Sequence, residues 1–294
     1  RKELRIKMYF RKFKWGFLKE VAIYSFWIFL NAIMDRIYWS TGQFVLGAMV
    51  GTAAVAVFAV AIQLQQLYMQ FSTAVSSVFL PKVTSMVTTS NDNAAISDLF
   101  IRTGRIQYII MALILSGFIV FGRQFISLWA GPGYEDAYII CILFFVSLLI
   151  PLIQNLGITI LQARNQMKFR SLLYIVIALV ALALQIVLAK QYGGIGCAVA
   201  IAGALLLGQG LIMNIYYSKK QGINIGRFWK EILKMSIVPI VLTTASIFTI
   251  SNYDINSWGE LALAILIFGI VYIPLFWSFS MNKYERELIN APIQ

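Results

Sequence analysis

The segment NAIMDRIYWS, Asn31 to Ser40, sets two opposite charges, Asp35 and Arg36, inside a long apolar run. VAIYSFWIFL precedes it and TGQFVLGAMV follows it. A charge at the centre of a bilayer costs about 2.5–3.5 kcal/mol on insertion scales, so two idle ones are not expected there. Adjacent residues of a helix point about 100° apart, so these two do not neutralise each other across one turn. Asp35 shares a face with Asn31, and Arg36 shares one with Ser40 and Gln43. A guanidinium is a planar fork suited to phosphate oxygens. One reading pairs Asp35 with a cation or donor on a neighbouring helix, and Arg36 with protein outside this chain. The other turns Arg36 toward a cavity to hold phosphate, with Asp35 beside it to orient the helix or sense an ion.

Further polar residues recur at helical spacing. Gln63, Gln66, Gln70, Thr73 and Ser77 fall three or four apart and line one face of a second apolar segment, with Gln65 off that stripe. Asn155, Thr159 and Gln162 make a similar row on a fourth segment, with Gln154 beside it and Pro151 one turn earlier. Gln185, Gln209 and Asn214 lie singly in later segments. Such groups either bond helix to helix, at around 0.6 kcal/mol per pair, or line a hydrated cavity. Two striped helices together with embedded charges favour the cavity.

The elements that carry these residues follow from composition. The chain is 60% hydrophobic and 12% charged, with a mean hydropathy of +0.79. That much apolar surface has no cover in a soluble protein, and runs of about 18 or more apolar residues read as membrane helices. Eight are expected: 19–47, 53–80, 106–121, 137–162, 171–189, 195–217, 234–250 and 259–279. Pro151 and Pro239 are expected to bend or loosen their helices. YGGIGCAVA, Tyr192 to Ala200, reads as a tight turn opening the sixth helix, and WAGPGYEDA as a turn with an acidic cap before the fourth.

The basic residues support this count. Twenty-one lie in connections on one side, two on the other, and Arg36 alone is left within a span. By the positive-inside rule both visible ends are then cytoplasmic. Topology thus accounts for most of the net charge of +12, without nucleic acid. The N-terminal run RKELRIKMYFRKFK either fixes topology or lies on anionic membrane lipid as an amphipathic helix. The chain opens on Arg1, without an initiator methionine, and is expected to continue a longer one.

There is no histidine, which argues against metal chemistry and histidine relays. Cys141 and Cys197 fall in apolar segments and read as small core residues. No nucleophile–base pair, catalytic carboxylate pair or metal cluster is visible, so the chain is expected to be no enzyme and to need no cofactor.

Several stretches, in order, resemble a known family. IMDRIYWSTGQFVLGAMVGTAAVAVFAVAIQL is similar to the first helix pair of a lobe in the multidrug/oligosaccharidyl-lipid/polysaccharide exporter superfamily. FLPKVTSM, LWAGPGYEDAYIICILFF, LQARNQMKFRS and AKQYGGIGCAVAIAGAL resemble its later motifs. The likeness is greatest to the Wzx-type polysaccharide flippases. It implies an all-α integral membrane protein, with one six-helix lobe of a two-lobe transporter at about 19–217, after a basic cytoplasmic linker at 1–18. A cytoplasmic loop, two extra helices and a tail fill 218–294. The N-terminal half of the same protein would supply the other cavity wall. The function implied is alternating-access flipping of an undecaprenyl-pyrophosphate-linked oligosaccharide across the bacterial plasma membrane, with an ion gradient as a possible drive. Arg36 and Asp35 would then meet the pyrophosphate. Asn31, Gln63, Gln66, Gln70, Asn155, Thr159 and Gln162 would meet the sugars. A lipid II flippase and an ion-coupled multidrug exporter use similar parts, and a membrane polymerase or ligase is a more distant alternative.

Overall fold

The computed structural model of the chain describes residues 15–89, 92–250, 253 and 255–290. The basic run up to Lys14 and the connection at Asn252 lie outside the described residues. Every described element is helical. Hydrocarbon offers the backbone no hydrogen-bonding partner, and a helix satisfies its N–H and C=O groups within itself.

Helix α1 (Trp15–Met49) and α2 (Thr52–Thr89) form a hairpin around Gly51, whose φ of 124° suits a residue without Cβ. Helix α3 (Asn93–Ala130) starts at the Asp92 cap, whose carboxylate accepts from the Ala94 amide at 2.9 Å. It ends at Gly131, with φ 87°. Helix α4 (Glu135–Ile153) and α5 (Leu156–Ala163) follow, then α6 (Met167–Leu205), a π-helical stretch at Leu206–Ile212, and α7 (Met213–Lys219). Helices α8 (Ile225–Ile250), α9 (Trp258–Phe279) and α10 (Lys283–Asn290) complete the chain.

Seven described helices are long and apolar enough to cross a membrane. One of them, Met167–Lys219, is 53 residues long and breaks helical geometry at Gly193 (φ 56°, ψ −134°). The spans expected at 171–189 and 195–217 are its two arms, and YGGIGC is the turn between them. Gly196 sits against the Leu188 carbonyl, where a Cβ would collide.

Three expectations need correction. The helices outrun their apolar cores, so Lys82, Arg102, Arg105 and Arg170 lie on α2, α3 and α6 rather than in loops. The connection placed at 122–136 shrinks to the four residues between α3 and α4, because Arg123 and its neighbours continue the helix. The single helix expected at 137–162 is broken at Gln154 and Asn155, between α4 and α5. Helix α8 runs through Pro239 without interruption.

Helix α1 packs most extensively on α6, and α2 on α4 and α3. The pair α8–α9 attaches to this group largely through α3. A buried ion network secures that attachment. Arg105, 4% exposed, grips Glu285 with Nε and Nη2, the latter at 2.9 Å, and reaches Glu231 with Nη1 at 2.8 Å. Glu285 also accepts from the Asn282 amide while Asn282 caps the Glu285 amide, so the start of α10 is tied to α3 and α8 together.

Removing one partner of a buried ion network strands the others, at about 3–5 kcal/mol. Arg105→Ala is therefore expected to lower the melting temperature sharply in detergent, whereas Arg105→Met combined with Glu285→Met and Glu231→Gln recovers most of it. Equal melting of the single variant and the parent would remove the network from the account of stability.

Candidate functional site

The charged pair divides as adjacent helical residues must. Asn31 and Asp35 face α6; Arg36 points away and is exposed. On α6, Arg170 and Tyr174 share the same four-residue spacing. Arg170 Nη1 donates to Asn31 Oδ1 at 2.7 Å, and the Tyr174 hydroxyl donates to Asp35 Oδ1 at 3.1 Å. The Arg170 guanidinium lies 5.1 Å from the Tyr174 ring centroid, within reach of a cation–π attraction. Both numberings rise together, so α1 and α6 run parallel here. Farther along, the Tyr38 hydroxyl donates to the Ile201 carbonyl, and Gln185 donates to Thr41 at 3.3 Å. Trp39 meets Phe144 edge-on at 5.5 Å, and Phe144 meets Phe58 likewise at 5.7 Å. Gly42 admits this cluster, since a Cβ there would stand 2.7 Å from the Phe58 ring.

Arg170 is the residue that sequence reasoning missed. By sequence it reads as one of the basic residues of a connection, yet it is 7% exposed and its Nε has no hydrogen-bond partner among the described residues. The signal was present: the i, i+4 pair Arg170–Tyr174 matches Asn31–Asp35. Asp35 thus takes a donor from a neighbouring helix, as the structural reading expected, and the donor is a hydroxyl.

The glutamine stripe on α2 splits by exposure. Gln63, Gln66 and Gln70 are exposed and have no side-chain partner among the described residues. Thr73 and Ser77 bond back to the Met69 and Ala74 carbonyls and need nothing else. Gln65, off the stripe, is fully buried. Arg36 and Gln66 lie fifteen residues to either side of Gly51, about 22 Å along their helices at about 1.5 Å per residue. Asn31 and Gln70 are likewise level. Arg36 makes no ion pair or hydrogen bond among the described residues, so the hairpin presents an unsatisfied cation at the depth of unsatisfied amides.

The row on the fourth segment behaves differently. Asn155 stands at the break without a side-chain capping bond, Thr159 is buried within α5, and Gln162 and Asn155 are half-buried. Gln154 does the bonding instead. Its Nε2 donates to Asn214 Oδ1 at 2.8 Å, and the Trp229 indole donates to the same oxygen at 3.0 Å. The Asn214 amide in turn donates to the Gly210 carbonyl, within the π-helical stretch. Here the polar residues hold α4, α7 and α8 together. Of that row Thr159 packs within the bundle, while Asn155 and Gln162 stay part-exposed.

Among the described residues no three metal-ligating side chains come together. The fold defines an all-α multi-pass membrane protein whose first hairpin exposes Arg36 on α1 and Gln63, Gln66 and Gln70 on α2. Residues 4–139, just under half of the chain, match the family described as "Polysaccharide biosynthesis protein". The match covers the hairpin that carries Asp35, Arg36 and the glutamine stripe, and is consistent with the Wzx-type polysaccharide flippase resemblance. Over that stretch this membrane chain is similar to a family of polysaccharide biosynthesis proteins. No curated protein and no solved structure matched.

In a double-mutant cycle, Gln154→Leu and Asn214→Leu are expected to couple by about 0.6 kcal/mol and by no more than about 1.7. Strictly additive losses in melting experiments would show that the bond across the break carries no stability.

Proposed function

We propose that this chain is one half of a flippase that carries an undecaprenyl-pyrophosphate-linked oligosaccharide across the bacterial plasma membrane by alternating access. The observation that carries the reading is the exposed Arg36, level with the exposed Gln66 and without a partner. Such groups are too costly to face hydrocarbon, so their face turns toward a hydrated space closed by other protein. A pyrophosphate calls for a cation with forked donors, which Arg36 provides. Sugars call for amide donors and acceptors, which Gln63, Gln66 and Gln70 provide. The lipid chain calls for an apolar surface, and α2, α3, α4 and α9 border an apolar groove of about 420 Å³ that includes Phe71, Phe118 and Phe268. Cargo is moved and not chemically altered, so no catalytic residue is assigned.

Asn31 and Asp35 take a supporting part in this scheme. Bound to Arg170 and Tyr174, they fix the rotation of α1 and so aim Arg36. Asp35, with no ion pair among the described residues, is also this half's candidate for a coupling ion. The basic ends of the helices face the cytoplasm by the positive-inside rule.

In the full-length gene, Arg36→Ala is expected to abolish surface polysaccharide at normal protein abundance. Normal export by that variant would falsify the phosphate-binding role. Accessibility gives an independent check. In a background lacking Cys141 and Cys197, cysteines at 63, 66 and 70 are expected to react with a membrane-impermeant maleimide. A cysteine at Val187, exposed on the apolar surface of α6, is expected to resist it. Equal resistance at all four positions would place the stripe against lipid or packed protein.

A further inference from the structure

At the end of the bundle opposite the Arg105 network, the last turns of α3, the first turn of α4 and Ile255 enclose a cleft of about 440 Å³. That is ligand-sized, within the usual range of about 300–1,000 Å³. Its polar lining is Arg123, Gln124, Ser127, Glu135, Asp136 and Tyr138. The Arg123 guanidinium lies 5.0 Å from the Tyr138 ring centroid, and the Tyr138 hydroxyl is committed to the Ile119 carbonyl at 2.8 Å. Among the described residues Arg123 forms no ion pair with either carboxylate of the cleft. Glu135 spends one oxygen on the Gly133 amide at 3.1 Å, and Asp136 is exposed. The side-chain oxygen of Gln124 is shielded from solvent and has no hydrogen-bond partner among the described residues.

One guanidinium, one amide, one hydroxyl and two carboxylates offer donors and acceptors side by side. A simple anion would meet the carboxylates, and a simple cation would meet the guanidinium. A polyhydroxylated ring, whose hydroxyls both donate and accept, satisfies both sets at once. Trp129 and Trp258, 44% and 51% exposed, stand at the same end, joined through Phe125 at 5.7 and 6.0 Å. Exposed tryptophans mark the headgroup level of a membrane. A sugar held in this cleft is therefore at the height of a lipid's headgroup.

We propose that this cleft is a saccharide subsite on the release side of the membrane, receiving the sugar head of the cargo after it has crossed. The cargo's identity rests on the function proposed above; the cleft's preference for a saccharide rests on its own residues.

The test uses the full-length protein in nanodiscs and two probes. One is the free oligosaccharide repeat, released by mild acid from the host's surface polysaccharide, and the other is the same repeat still linked to its lipid. Tryptophan fluorescence follows binding. Wild-type protein is expected to bind both probes. Ser127→Leu with Asp136→Leu, both at exposed positions, is expected to weaken the free repeat at least tenfold. Undiminished binding of the free repeat by the double variant overturns the proposal, as does binding of the lipid-linked form alone. Should Arg36→Ala export normally while the double variant still loses the free sugar, the transport site falls and the cleft stands.

Discussion

The pairing of Asn31 and Asp35 with Arg170 and Tyr174 sets the rotation of α1, and much of the molecule depends on that angle. A polar side chain in hydrocarbon must be answered by another, and α6 answers two of the three polar groups in this turn. The third, Arg36, is left facing outward because adjacent residues cannot share a face. Tyr38 and Trp39 continue the same contact toward the far end of α1. Their packing against Ile201 and Phe144 holds α1 against further rotation.

Two kinds of polarity are thereby separated in one apolar bundle. Gln154, Asn214, Gln185 and the Arg105 network are turned inward and join helices. Gln63, Gln66, Gln70 and Arg36 are turned outward on one hairpin and join nothing described. Inward polarity makes α1–α7 and the α8–α9 pair cohere. Outward polarity is affordable only where another surface, or water held by one, lies opposite. The exposed stripe is thus the feature on which the proposed second half rests.

The irregular points in the helices fall where these groups meet. The break between α4 and α5 brings Gln154 to Asn214, and Asn214 reaches back into the π-helical stretch. Irregular backbone at membrane depth is tolerated where it is enclosed by protein, and π-helical turns are common at functional positions. Trp229 of α8 seals this junction, so α8 is tied to α7 there and to α3 at Arg105.

The sequence by itself determined the all-α membrane class, the apolar cores of the spans and the split between Asp35 and Arg36. These follow from local quantities: the length of an apolar run, the sign of charge in a connection, and about 100° per helical residue. The turn at Gly193 and the core placement of both cysteines were equally legible. Only the tertiary structure decided which polar residues are answered and by whom. Arg170 read as one more basic loop residue, because its burial comes from α1, some 140 residues away in the chain. Arg105 and Glu285 are 180 residues apart and gave no local sign of their pairing. Thr159 keeps the spacing of a cavity-lining row, yet it lies within the bundle. Periodicity assigns a residue to a face of its own helix; what that face meets depends on distant segments.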